Sequence, residues 1–278
     1  VLASKVGALK ATVTLPDFAV FSALAERPIA GRGTWDVTAT SDAEGVSLSW
    51  EGAANNIGVA GLPADLSKMK IELSGAASWL FDQSWTLSDV RVSAVGAALT
   101  IAARGQAQAA DLDLSLDLPK LGWLQPDLAG STKLAATIHQ SEAGTDLSVT
   151  GEASDLRQGP LTSRRLSMST SLSRDPTGVI QGTLATNGDL ANQRLSLEGR
   201  FRYDRDGLAV PTFQGQWASA VLNIADLAIT RTRRSGRAQL QIARLQDAVP
   251  LVGTDLAGSL DLEITAADIP PDKQAASD

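Results

Sequence analysis

The chain has 278 residues, no cysteine and a formal charge of −7, from 24 Lys and Arg against 31 Asp and Glu. At 44% hydrophobic residues it is too apolar to be disordered throughout. Without cysteine it is no disulfide scaffold, and an acidic chain with no basic face speaks against nucleic-acid binding.

The length fits one or two domains of about 150 residues. No run of about 18 apolar residues is present to cross a membrane as a helix. The chain opens at Val1 with no charged segment leading into an apolar one, so no signal peptide is visible. Pro270 to Asp278 reads as a loose tail. Both ends suit a processed chain or a piece of a longer one. Freedom from cysteine fits the bacterial periplasm and also many cytosolic proteins.

In chain order, the first departure from a strand pattern is Leu15-Pro16-Asp17-Phe18, running on to Pro28-Ile29-Ala30-Gly31. Its apolar residues stand three or four apart, which predicts one or two helical turns with Pro16 at the first helical position. Trp35 and Val37, then Leu48 and Trp50, alternate with polar residues, and so does Met69-Lys70-Ile71-Glu72-Leu73. Period 2 predicts strands with one dry and one wet face. The cleanest case is Leu112-Asp113-Leu114-Ser115-Leu116-Asp117-Leu118.

A second helical connector, with Pro119 at its first helical position, is expected at Leu118-Pro119-Lys120-Leu121-Gly122-Trp123-Leu124, ending at Asp127-Leu128-Ala129-Gly130. Alternation then resumes with Leu134 and Ile138, Leu147 and Val149, Leu195 and Leu197, and Leu240 and Ile242. A third connector is expected over Ala243 to Gly258, closing on Asp255-Leu256-Ala257-Gly258. Leu260, Leu262 and Ile264 follow as the next strand. The segments between strands are turn-like: Ser41 to Gly45, Glu142 to Gly144, Arg174 to Gly178 and Asp204 to Gly207 each hold Gly, Asp or Pro. The spacing predicts an all-β antiparallel meander of about 14 to 18 strands. Its dry face must be covered by a second sheet, closed into a barrel, or left lining an open trough.

The Ala-Gly landmarks at 31, 130 and 258 suggest blocks of several strands, each followed by a connector. The blocks divide the chain into 1–30, 31–129, 130–257 and 258–278. Leu118-Pro119-Lys120-Leu121 with Asp127-Leu128-Ala129-Gly130, and Asp255-Leu256-Ala257-Gly258, resemble the AsmA-like bacterial envelope proteins and within them the TamB family.

That resemblance implies an elongated sheet folded into an open apolar groove (a β-taco) with short helical connectors across it. It implies a periplasmic segment of an inner-membrane-anchored protein, the anchor lying outside this sequence. It also implies conduction of phospholipids between inner and outer membrane, and an outer-membrane barrel of the Omp85 type as partner. The alternating residues named above, Trp35 through Ile264, are then the expected groove lining. About 16 strands spaced about 4.8 Å apart would make a trough on the order of 75 Å long.

Little chemistry competes with this. The single histidine, His139, follows the inward Leu134, Ala136 and Ile138 phase and so points outward. With one His and no Cys, no conventional zinc or Cys-His site can form. Asp111, Asp113 and Asp117 read as a wet strand face. Asp42 with Glu44 and Asp204 with Asp206 lack calcium-loop spacing and read as turns. No enzyme activity, cofactor or metal is expected.

Arg231-Thr232-Arg233-Arg234-Ser235-Gly236-Arg237 is the only basic cluster and reads as a hairpin tip turning near Ser235-Gly236. Trp123 sits where it could pinch the groove. Two rival classes remain. One is a spacer or adhesin stalk whose inner face is filled by its own side chains. The other is a carbohydrate-binding sandwich, disfavoured because Trp35 and Trp50 lie on the dry phase.

Overall fold

The structure, a computed structural model, describes residues 7–23, 26–59, 70–94, 96–231 and 234–269. It holds sixteen strands: β1 (Gly7–Leu15), β2 (Ile29–Ser41), β3 (Gly45–Val59), β4 (Ile71–Leu80), β5 (Ser84–Ala94), β6 (Ala97–Gln106), β7 (Ala109–Leu118), β8 (Leu128–Ser141), β9 (Gly144–Gln158), β10 (Leu161–Arg174), β11 (Ile180–Leu190), β12 (Gln193–Asp204), β13 (Gly207–Trp217), β14 (Ala220–Thr230), β15 (Arg234–Ile242) and β16 (Leu260–Ile269). They form one antiparallel sheet in strict sequence order, and it is not closed, since β1 and β16 each have one neighbour. The alternation read from the sequence is therefore realised as a meander in which each strand pairs with the strands before and after it.

The chain divides into two compact units. One comprises residues 1–126 with 133–141, the other residues 127–132 with 142–278. The expected tail from Pro270 lies outside the described residues.

Aspartates close many of the turns. Asp42 Oδ1 accepts from the backbone N–H of Glu44 at 2.8 Å and of Gly45 at 3.0 Å. Asp204 Oδ1 does the same for Asp206 at 2.9 Å and Gly207 at 3.3 Å. Asp82 and Asp175 hold Ser84 and Thr177 in the same way. A short side-chain acceptor that mimics a backbone carbonyl is what makes Asp a turn residue.

Among the described residues, three helical connectors interrupt the sheet. The first is a 3-10 turn at Phe18–Phe21, the second a 3-10 turn at Leu121–Trp123, and the third a 3-10 turn at Leu245–Ala248 running into the α-turn α1 (Val249–Val252). They fall inside the three segments expected to be helical. The prolines do not sit as expected. Pro16 and Pro119 each stand one residue ahead of the N-caps Asp17 and Lys120, outside the turn. Asp17 takes the cap because its carboxylate accepts from Ala19 N–H at 2.8 Å. In the third connector Pro250 does lie in the first turn, and Gly253 ends it at φ 68°.

Alternation also hides bulges, and four of them among the described residues share one pattern. Asn56, Asp89, Asp155 and Asp226 adopt φ of 55°, 54°, 52° and 51°. Each is followed by an aliphatic residue: Ile57, Val90, Leu156 and Leu227. In three of them the register shift sets the Asx-aliphatic pair against one glycine of the neighbouring strand, namely Gly31, Gly75 and Gly236. In the fourth, a Cβ on Gly130 would lie 2.8 Å from Asp155 O. Two residues facing one bend the strand and bring backbone close to backbone, and Asn and Asp tolerate the left-handed conformation this requires.

The hairpin before β15 differs from expectation too. Ser235 and Gly236 lie inside β15, Gly236 facing the Asp226 bulge, and β14 ends at Thr230. Residues 232 and 233 lie outside the described residues.

Candidate functional site

Residues directly opposite one another on antiparallel strands share a face. In the first unit the register carries one face from strand to strand. Val13 faces Trp35, Val37 faces Trp50, and Ala39 faces Leu48. Ala54 faces Ile71, and Gly52 faces Leu73. Leu73 leads to Val92, then to Leu99 and Leu116. Leu114 faces Ile101 and Leu112 faces Ala103 on the same side. The opposite side ties β8 on. His139 contacts Asp111 at 2.6 Å and Lys133 contacts Asp117 at 3.7 Å. Those contacts leave Leu134 and Ile138 on the leucine side.

The second unit has its own such face. Leu147 faces Leu172 and Val149 faces Thr170. Leu195 faces Gly188 and Trp217, and Leu197 faces Thr186 and Gly215. Gly215 faces Leu222, which faces Leu240, which faces Leu262. Ile242 stands between Ala220 and Leu260, and Ile264 faces Ala238. Within each unit, then, the structure brings the residues singled out from the sequence to a common face.

These residues are not sealed. Among the described residues only Phe18, Ala54, Val90 and Leu121 are buried apolar residues, and no side chain is completely enclosed. Trp35, Val37, Trp50, Ile71, Leu112, Leu114, Leu116, Leu134, Ile138, Leu147, Val149, Leu195, Leu197, Leu240 and Ile242 are half-buried. Leu48 is 38% exposed, and Leu260, Leu262 and Ile264 are 41%, 44% and 56% exposed. The described strands all belong to the one sheet.

The aromatic rings are laid on glycines, a feature the sequence pattern did not reveal. A Cβ on Gly52 would meet Trp35 at 2.4 Å, one on Gly75 would meet Trp50 at 2.5 Å, and one on Gly105 would meet Trp85 at 2.6 Å. Phe213 lies on Gly199 and Phe201 on Gly182 in the same manner. Each of these pairs is a cross-strand register pair. The missing side chain on one strand is filled by the ring from the next. The readable signal is a glycine at the position opposite each aromatic. Phe18 of the first connector adds to Trp35, its ring centroid 5.9 Å away at an interplanar angle of 29°. The Trp123 side chain lies outside the described residues.

The opposite face is polar and ionic. Asp111 takes both His139 and Arg104, the latter at 2.9 Å, so one carboxylate joins β6, β7 and β8. His139, first, and Arg104 hold the Asp111 carboxyl below its ordinary value. His139 is exposed, as its strand phase predicts. On this face of the first unit lies a cavity of about 690 Å³ lined by Asp36, Glu51, Lys70, Glu72, Ser74, Arg91 and Ser93, among others. Lys70 pairs with Glu72 at 2.8 Å at its rim and lowers that carboxyl. Sequence reasoning missed this cavity, whose lining is assembled from β2, β3, β4 and β5 together. No group of three or more His, Cys, Asp or Glu among the described residues could hold a metal ion. No helix among them is long and apolar enough to cross a membrane.

Compared with known proteins, the chain matches no family model, no curated protein and no solved structure.

Proposed function

We propose that the chain is a non-enzymatic, lipid-conducting segment. In this reading the leucine-bearing face of each unit lines an apolar groove for phospholipid acyl chains, and the headgroups stay in solvent. The observation that carries it is the state of that face: its aliphatic residues are in register across many strands, yet among the described residues only four apolar residues are buried. Water disfavours each exposed methylene by about 0.8 kcal/mol, so a lipid tail laid on such a surface and the surface itself both gain. Rings lying on glycines add apolar area without upright obstacles, which suits a ligand that slides.

The segments Leu118 to Leu121, Asp127 to Gly130 and Asp255 to Gly258, which resemble the TamB family, extend the proposal. The chain would belong to a periplasmic protein that bridges inner and outer membrane, supports outer-membrane assembly and works with an Omp85-type barrel. The rival, a rigid spacer with a self-filled inner face, expects more fully enclosed apolar side chains than are present.

The test is in-cell photocrosslinking with a probe at Leu114 and, separately, at Ser115. Phospholipid captured at Leu114 and not at Ser115 is the expected result. Capture at neither, or equally at both, would give the spacer reading the lead.

A further inference from the structure

The cavity on the polar face of the first unit lies away from the leucines and has no part in the conduction proposed above. Its charged walls come from neighbouring strands in register. Asp36 of β2 faces Glu51 of β3, Glu51 faces Ser74 of β4, and Ser74 faces Arg91 of β5. The next row on this face sets Ala53 against Glu72 and Glu72 against Ser93. Lys70 and Glu72 neutralise one another at 2.8 Å. Two carboxylates and one guanidinium are left over: among the described residues, no ion pair joins Asp36, Glu51 or Arg91 to a partner. Asp36 Oδ1 accepts from the Thr12 hydroxyl at 2.7 Å, which brings no positive charge. Like charges directly opposite on a sheet are unfavourable, so the Asp36 and Glu51 carboxylates favour a cation between them. Arg91 stands two strands from Glu51, about 10 Å at the backbone, with the short Ser74 between. The cavity of about 690 Å³ thus has surplus negative charge on one side and a positive charge on the other. Its volume is that of a small-molecule site, and no described lining residue is aromatic.

We propose that this cavity binds an aminoethyl phosphate ester, a primary ammonium joined through two carbons to a phosphate. The ammonium sits between the Asp36 and Glu51 carboxylates, which accept its hydrogen bonds. The phosphate takes the Arg91 guanidinium, whose planar fork matches two of its oxygens, and the hydroxyls of Ser74 and Ser93. The two-carbon spacer keeps the charges apart, as a site with its carboxylates and its guanidinium on different strands requires. A simple anion is disfavoured, because three carboxylates line the cavity against Lys70 and Arg91. A quaternary ammonium is disfavoured too, because it donates no hydrogen bond and is held by aromatic faces, which this lining lacks. The cavity is larger than the zwitterion alone and admits a substituent on the phosphate. The same group therefore fits as a soluble ester and as the headgroup of a phospholipid.

The experiment titrates the full chain with glycerophosphoethanolamine by calorimetry at low ionic strength. Saturable binding is expected. Arg91→Gln and Glu51→Gln, each verified as folded by circular dichroism, should each weaken it at least tenfold, while Arg200→Gln in the second unit should change it less than twofold. Glycerophosphocholine, ethanolamine alone and glycerol phosphate alone should each bind at least tenfold more weakly. Vesicle sedimentation then separates the two sources. Capture by vesicles of equal parts phosphatidylethanolamine and phosphatidylcholine, but not by phosphatidylcholine alone, reversed by free glycerophosphoethanolamine and lost in Arg91→Gln, assigns a membrane headgroup. Saturable binding of the soluble compound without vesicle capture assigns a soluble ester. The proposal is overturned if neither the compound nor the mixed vesicles bind, if the choline compound binds equally well, or if ethanolamine or glycerol phosphate alone binds as tightly as the whole. Arg91→Gln should leave lipid capture at Leu114 unchanged, so the cavity and the apolar groove stand or fall separately.

Discussion

The first and third connectors share a sequence signature and are held in place by opposite means. In the first, Phe18 is 9% exposed, stacks on Trp35 and reaches Gly31 across the β2 bulge site. In the third, no residue is buried, and Leu251 and Val252 face solvent. It is tied by polar contacts instead. Ser219 Oγ accepts from Arg244 N–H at 3.1 Å, Leu245 N–H donates to Gly258 O at 2.9 Å, and Arg244 reaches Asp247 at 3.4 Å. The first connector lies beside β2, which has strands on both sides. The third leads into β16, which has a neighbour on one side. A helical turn of four residues cannot stabilise itself, so what anchors it is whatever the adjoining strands offer.

The largest effect that would break this contrast is expected at Phe18. Phe18→Ala removes the ring from Trp35 and should cost about 3 kcal/mol in chemical denaturation, while Leu251→Ala should cost about 0.5 kcal/mol or less. Equal costs would mean that the connectors are anchored alike. The next effect separates the glycines. Gly130→Val meets both backbone strain and the Asp155 carbonyl, and should cost about 2 kcal/mol. Gly258→Val meets the strain alone, and should cost about 1 kcal/mol, read from the shift in thermal midpoint.

The smallest effect is a dependence on pH. The Ser219 hydroxyl, followed by Arg244, holds the Asp247 carboxyl below its ordinary value of 3.8. A depressed carboxyl stabilises the fold above its unfolded pKa, and that contribution disappears as pH falls through the folded pKa. Hydrogen exchange around Leu245 to Val252 should therefore quicken as pH drops below about 4, relative to intrinsic rates, while the Phe18 turn keeps its protection. Asp247→Asn should remove the difference at pH 7. Loosening of both connectors together in acid would point instead to the turn aspartates Asp42, Asp82, Asp175 and Asp204. Their carboxyls are also held low, Asp42 and Asp204 by backbone N–H donors first and Asp82 and Asp175 by side-chain hydroxyls first.

Much of this architecture was legible because strict alternation leaves few other interpretations. Leu112 to Leu118 reads as a strand with a leucine face, and the Ala-Gly landmarks mark glycines at positive φ, Gly31, Gly130 and Gly258. The bulges were not legible from periodicity, since a period-2 pattern treats an extra residue as noise. Ser88-Asp89-Val90 looks like a lapse in alternation and is a left-handed bulge. Asn or Asp precedes an aliphatic residue at these four bulges, but the same pair stands in regular strand as well, as at Asp113-Leu114, so it does not mark a bulge by itself. The turn expected at Ser235-Gly236 failed for the same reason: that glycine serves the Asp226 bulge across the strand and not a hairpin. The polar cavity between Asp36 and Arg91 is lined from four strands, which no single-strand pattern encodes.

Strict sequence order in the sheet has a further consequence, for how the chain acquires its structure. Every strand finds its partner next door, so no pairing waits for a distant segment, and loop closure between neighbours is entropically cheap. Such a sheet can zip up strand by strand as the polypeptide emerges. Its stability should behave as a row of nearest-neighbour interfaces, more like a repeat array than a single all-or-none unit. Removing a terminal strand should then shift one interface and leave distant ones unchanged.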